Sequence, residues 1–196
     1  RASEWPGRFP NLTDAAAGRP WSMGMLTRAM VALAATIGAS LLMTPPVEAR
    51  PEEVSYSGDY APGTIVVKTN ERRLYLIVDS DRAIRYPVGV GKAGKQWTGT
   101  AQIEGKYRNP AWAPPADVKR DHPNIPDVIA GGSPSNPMGV AAMTLSGGGQ
   151  YAIHGTNRPQ SVGHFVSYGC IRMYNNDIDD LYRRVSIGTP VVVTER

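Results

Sequence analysis

The chain has 196 residues, a net charge of +4, and 21 glycines and 17 prolines set between β-branched runs. That composition argues for a strand-and-turn protein over a helical one. The Lys and Arg residues are scattered and form no basic run interleaved with aromatics, so nucleic-acid binding is not expected, and a single cysteine leaves no internal disulfide partner.

Residues 1–22 show neither helical nor strand periodicity. A start at Met23 or Met25 puts Arg28 ahead of an uncharged run of 15 residues, Ala29 to Met43, and Val47-Glu48-Ala49 then offers a small-x-small cleavage site. Residues 1–49 are therefore expected to be an upstream extension plus a secretory signal peptide. The apolar run is shorter than the roughly 18–20 residues of a membrane-spanning helix. Export to the periplasm or cell envelope is the expected destination. An unpaired thiol in an oxidising compartment is a hazard unless its chemistry is needed.

Residues 50–62 are polar and broken by Pro and Gly, and read as a linker. The remaining segment, 63–195, is long enough for one domain with one core. Thr64 to Lys68, Leu74 to Val78 and Ile84 to Val90 read as a β-meander, and Thr100 to Arg108 as a further strand. Gly91 to Gly99 is a Gly/Lys-rich loop holding Trp97, without the Gly-Lys-Ser/Thr ending of a phosphate loop. Asn109 to Gly139 reads as a long irregular passage, of the kind that forms a lid or a substrate wall. Two short strands follow, around Met143 to Leu145 and Tyr151 to Ile153, joined by a turn from Gly147 to Gly149. Asn175-Asn176-Asp177 reads as the cap of a short helix with Ile178, Leu181 and Tyr182 on its apolar face. Thr189 to Val193 closes the chain as a strand.

The chemistry concentrates between His154 and Met173, which contains the only cysteine and two of the three histidines. Gly169 leaves room for a substrate carbonyl to approach Cys170 and the amides beside it. His154 lies too far upstream to be a helical neighbour, so two adjacent strands or a returning loop must bring it to the thiol. A Cys–His pair of this kind is a minimal nucleophile and base. The alternative reading, a small buried Cys and a satisfied His, competes with it on general grounds. A zinc site from His154, His164 and Cys170 matches no common ligand spacing, and neither a metal nor a cofactor is expected.

The run His154-Gly155-Thr156-Asn157, continuing through Ser161-Val162-Gly163 to Ser167-Tyr168-Gly169-Cys170-Ile171-Arg172-Met173, resembles the catalytic motif of the L,D-transpeptidases (YkuD domain). Trp112 to Pro115, the Gly131–Gly139 segment with Asn136 and Met138, Asn175 with Asp177, and the closing Gly188 to Val193 are similar to the same family. The resemblance implies a mainly β fold, a YkuD-like β-sandwich with a short helix after the Cys loop. It also implies a peptidoglycan L,D-transpeptidase in which Cys170 attacks the stem-peptide bond before the terminal D-alanine. His154 would serve as base and then acid, with the Gly155 carbonyl orienting its ring. Amides near Tyr168, Gly169 and Cys170 would form the oxyanion hole. Ser167 and Arg172 occupy motif positions, Arg172 either bracing the loop or meeting a substrate carboxylate. Asn157, Asn136, Met138 and Trp112 are the expected substrate contacts. Many family members carry His where this chain has Tyr168.

The implied partners are donor and acceptor stem peptides, with carbapenem-type β-lactams as covalent inhibitors and an outer-membrane protein as an alternative acceptor. Hydrolysis of the same acyl-enzyme (a carboxypeptidase or endopeptidase) and a non-catalytic peptidoglycan-binding module are the competing functions. A binder has no use for an unpaired exported thiol.

Overall fold

The computed structural model describes residues 51–147 and 150–196. The signal-peptide reading of residues 1–49, and residues 148–149 of the glycine turn, lie outside the described residues.

β1 (Glu52–Ser55), β2 (Ile65–Lys68), β3 (Arg73–Ile77) and β4 (Arg82–Pro87) form an antiparallel array. The meander matches its sequence expectation to within three residues at each strand end. β1 does not: it lies inside the stretch expected as linker, and its residues are as polar as that reading supposed. Pairing comes from its partner, since Glu52 and Glu53 reach Arg85 and Arg82 of β4, each at 2.6 Å. Tyr56, just after β1, then packs its ring 5.1 Å from that of Tyr75. There it covers Val66, Ile77 and Ala83 on the outer face of the meander. With the main core on the other side, β2 and β3 are covered on both faces. Their sequences accordingly run as continuous apolar stretches rather than alternating ones.

β5 (Val90–Gly91) leads to β6 (Gly99–Arg108), a ten-residue strand shared by the two halves of the molecule. Its first residues pair with β11 (Pro190–Thr194), which itself lies parallel to β2. Its later residues pair with β7 (Ala141–Leu145) after a break in register between Ile103 and Gly105. A side chain at Gly105 would press on the Tyr107 and Thr144 side chains, which would have to move to admit it. β8 (Ala152–His154) and β10 (Ile171–Arg172) complete the order β1-β4-β3-β2-β11-β6-β7-β8-β10. β9 (Phe165–Ser167) pairs separately with β5. Ile65, Val67 and Leu74 from one half and Met143, Ile153 and Ile171 from the other enter one apolar cluster. The mainly β fold expected from the sequence is the fold observed.

Two helices complete the domain. α2 (Asn175–Arg184) buries Ile178 and Leu181 in the same cluster. At its C-terminal end Lys106 donates from Nζ to the Tyr182 and Val185 carbonyls, at 2.7 and 2.5 Å, where a cation complements the helix dipole. α1 (Ala116–Asp121) interrupts the passage expected to be irregular, and none of its residues is buried.

Candidate active site

The platform that carries the Cys–His pair follows from strand register. β8 and β10 run parallel, with Ile153 opposite Ile171 and His154 opposite Arg172. Alternation sends both isoleucines into the core and turns His154, Arg172 and the neighbouring Cys170 to the other face. Residues 16 apart in the chain thus become near-neighbours, by the adjacent-strand route rather than a loop return.

His154 is 3% exposed, and its Nδ1 lies 2.6 Å from the Gly155 carbonyl oxygen. With Nδ1 as the protonated nitrogen, that carbonyl sets the ring orientation expected of it and leaves Nε2 with a free lone pair. Burial pushes the imidazole down to about 4, the Arg172 charge adds to the effect, and the Gly155 and Pro137 carbonyls oppose it. Cys170 is half-buried and lines a cavity. Burial pushes its thiol up, against the opposing pull of the Ala152 amide and the Arg172 charge. His154 does not draw the thiol pKa down. A neutral imidazole close by supplies no charge to do so, and the resting pair is neutral on both sides.

The turn carrying Cys170 is closed on itself. Ser167 Oγ–H donates to the Cys170 carbonyl at 2.5 Å, and the Gly169 N–H donates to Ser167 Oγ at 3.1 Å. Ser167 is thus a brace for the turn, and Gly169 has no N–H to spare for an oxyanion. This narrows the expected oxyanion donors to the amides of Tyr168 and Cys170. Gly169 has φ +119°, and a Cβ there would sit 2.3 Å from Tyr151 Cε1, so glycine is required on both counts.

Above this floor lies a cavity of about 430 Å³. Gln150, Tyr151, His154, Ser167, Tyr168, Cys170 and Arg172 line its floor and sides. Trp112, Pro115 to Val118, Pro137 and Met138 form its roof, with Lys95 at the edge. A second cavity of about 500 Å³ shares Trp112, Val118, Pro137, Tyr168 and Arg172 with the first. Asn157 opens on this second space, and its Nδ2 donates to the Pro134 carbonyl at 3.1 Å.

Asn136 faces neither cavity, which corrects its expected substrate contact. It is 2% exposed, its Nδ2 donating to the Pro110, Ile129 and Ala130 carbonyls while its Oδ1 accepts from the Met138 N–H. Together with the Trp112–Ile129 backbone bridge it ties the neck of the roof segment. Asn175 also differs from expectation. Tyr174 is the N-cap residue of α2, without a side-chain cap bond, and Asn175 Oδ1 accepts from the Thr156 and Val140 amides at 3.0 and 3.4 Å. It staples the loop after His154 to the strand below the roof.

The roof is held by polar contacts. Tyr168 Oη–H donates to Asp121 at 2.5 Å, Lys92 lies 3.6 Å from the same carboxylate and 3.8 Å from the Tyr168 ring centre, and Lys95 pairs with Asp117. Tyr168, the departure from the usual motif, thereby becomes a link between the nucleophile turn and α1. Sequence reasoning missed Lys95, Asp117, Asp121, Gln150 and Tyr151. None belongs to the Cys–His motif, and their placement depends on contacts between distant segments. Arg172 has its Nε buried without a hydrogen-bond partner, and no carboxylate pairs with it among the described residues. Among the described residues no three His, Cys, Asp or Glu side chains converge as metal ligands.

Comparison with known proteins points to one family. Residues 62–193 match the family model of the L,D-transpeptidase catalytic domain, YkuD. The Escherichia coli K12 protein named probable L,D-transpeptidase ErfK/SrfK is 38% identical over 141 residues, covering 67% of this chain and 44% of that protein. The chain thus spans less than half the length of that relative. A Brucella melitensis crystal structure described as a probable carnitine operon oxidoreductase is 40% identical, with a TM-score of 0.50 over 72% of this chain and 91% of that one. The structure of L,D-transpeptidase 3 from Mycobacterium tuberculosis with a faropenem-derived adduct is 17% identical, covers 67% of this chain and 60% of that one, and has a TM-score of 0.52. At that identity the likeness speaks for the fold.

Proposed function

Because the chain belongs to the L,D-transpeptidase catalytic-domain family, we propose that it cross-links peptidoglycan stem peptides through an acyl-enzyme on Cys170, in the cell envelope after removal of the signal peptide. The observation that carries the reading is the buried, neutral His154 beside Cys170 on one face of β8 and β10, with its Nδ1 committed to Gly155.

The chemistry follows from the protonation states. His154 Nε2 takes the thiol proton as Cys170 Sγ attacks the carbonyl of the third stem residue. The tetrahedral oxygen meets the amides of Tyr168 and Cys170. Collapse breaks the C–N bond, and the imidazolium returns the proton to the departing D-alanine amine, leaving a thioester. An amine from a neighbouring stem then attacks the thioester, with His154 again as base, and Cys170 is released as the thiol. Arg172 is the contact for a substrate carboxylate. Arg172 borders both cavities, has no counter-charge among the described residues, and its guanidinium would meet a carboxylate bidentately. The two cavities sharing one wall suit a donor stem on one side and an acceptor on the other. Covalent capture of Cys170 by a β-lactam fits the same site, and the structure of L,D-transpeptidase 3 from Mycobacterium tuberculosis is of a complex with a faropenem-derived adduct.

The test is incubation of the protein with a disaccharide-tetrapeptide, followed by mass spectrometry. Cross-linked dimer with loss of one D-alanine is expected from the wild type. Cys170→Ala should give no turnover and no carbapenem adduct, with a melting temperature close to that of the wild type. Substantial turnover by the Cys170→Ala protein would remove the nucleophile assignment. Tripeptide without dimer would replace cross-linking by hydrolysis.

A further inference from the structure

Beyond the Cys–His pair, the turn that presents the nucleophile is gripped from outside the cavity. Trp97, in the Gly/Lys-rich loop before β6, donates its indole Nε1–H to the Gly169 carbonyl at 2.9 Å. It also stacks on Tyr151, with ring centres 4.9 Å apart and planes 5° from parallel. Tyr151 in turn fills the space where a side chain at 169 would stand. Tyr151 lines the catalytic cavity and Trp97 does not.

The polar groups of the turn can be counted out. The Gly169 N–H goes to Ser167 Oγ, the Gly169 carbonyl to Trp97, and the Cys170 carbonyl to the Ser167 hydroxyl. Among the described residues no acceptor takes the N–H of Cys170. That N–H belongs to the same planar trans peptide unit as the Gly169 carbonyl, so the two point in opposite directions. Fixing the carbonyl on one side fixes the N–H on the other. Glycine at φ +119° has the freedom to let this peptide rotate, and the indole removes it.

We propose that Trp97 is a positioning residue for acyl transfer: its indole N–H holds the Gly169–Cys170 peptide so that the Cys170 amide points at the oxygen of the carbonyl under attack. This rests on the acyl-transfer reading of the site. It adds that the oxyanion donor is aimed by a residue that never touches substrate. The stack on Tyr151 sets the indole plane, and the hydrogen bond sets the peptide.

The test separates reactions that build an oxyanion from one that does not. Acylation of Cys170 by a carbapenem passes through a tetrahedral oxyanion, whereas alkylation by iodoacetamide is a direct displacement at carbon. Trp97→Phe keeps a ring for the stack and removes the donor. The acylation rate constant at saturating carbapenem should fall about ten- to a hundredfold, less than the loss of a whole oxyanion donor costs. Alkylation should stay within about twofold of wild type. A benzothienylalanine at position 97, the indole's shape without its N–H, should behave in the same way if the phenylalanine protein folds poorly. Unchanged acylation in either protein overturns the proposal, and so does an equal slowing of acylation and alkylation, which would mark Trp97 as packing alone. If wild-type Cys170 alkylates but is never acylated, the acyl-transfer reading itself falls, and the proposal with it.

Discussion

The floor of the catalytic cavity stands on β8 and β10, whose Ile153 and Ile171 are sealed in the core, whereas its roof, α1, buries none of its residues. Each of those isoleucines contributes about 1.5–3 kcal/mol by leaving water. The groups beside Cys170 are fastened to this floor by short hydrogen bonds inside the protein: Ser167 to Cys170, Trp97 to Gly169, Gly155 to His154. The roof is fastened by Lys95 to Asp117, and by Tyr168 and Lys92 to Asp121, all on solvated side chains that salt screens. The difference separates two needs of one site. The proposed acyl transfer requires a nucleophile, base and oxyanion donor that do not move, while the proposed polymeric substrate has to enter and leave. A rigid floor and an electrostatically tied roof meet both.

The largest expected break in this contrast is at His154. His154→Gln should lower turnover by about 10²–10⁴, as loss of a general base does. In the wild type the imidazole remains neutral down to about 4 instead of its ordinary 6.5, so carbapenem acylation should keep its acid limb near the lower value. The effect on stability has a definite sign. Between pH 6.5 and about 4 the unfolded chain binds a proton at His154 that the folded chain does not. Stability is therefore full above the unfolded value and declines as the pH falls through that window. Thermal melts across it should show the decline in wild type and a shallower one in His154→Gln; an acid limb near 6.5 would contradict the buried, neutral base.

A smaller break targets the floor through its backbone. Gly169→Ala forces a side chain into φ +119° and against the stacked Tyr151 ring. It should cost on the order of 1–3 kcal/mol in a urea melt and slow acylation by Cys170 as the turn shifts. Wild-type stability and acylation in this variant would mean that the turn is looser than its hydrogen bonds indicate.

The smallest effect belongs to the roof. Tyr168→Phe removes the hydroxyl donated to Asp121 but keeps the ring under Lys92. The melting temperature should be unaltered, and KM for the donor peptide should rise about twofold at low salt, an increment that fades at high salt. An equal loss of kcat at all salt concentrations would make the Tyr168 hydroxyl part of the acyl-transfer machinery instead of a tie to the roof.

Much of this was legible in the chain. The Cys–His motif, the meander, the long β6 and the closing β11 rest on local signals: β-branched runs, turn residues and a motif whose members lie within twenty positions of one another. The role of the Gly155 carbonyl in orienting His154 was implied by the family resemblance. What tertiary structure decided is where polar groups found partners. Asn136 and Asn175, read as a substrate contact and a helix cap, became brackets because buried amides and carbonyls from other segments had to be satisfied. Residues 52–55 became a strand because Arg82 and Arg85, some thirty positions away, faced their glutamates. The thiol pKa rose because burial around Cys170 outweighed the charge beside it. The sequence by itself determined which groups could react and which segments could be strands, since both depend on residue type and near-neighbour spacing. Only the fold decided their protonation states, the aim of the Cys170 amide and the polar ties of the roof, since burial, field and hydrogen-bond geometry are properties of the space around a residue.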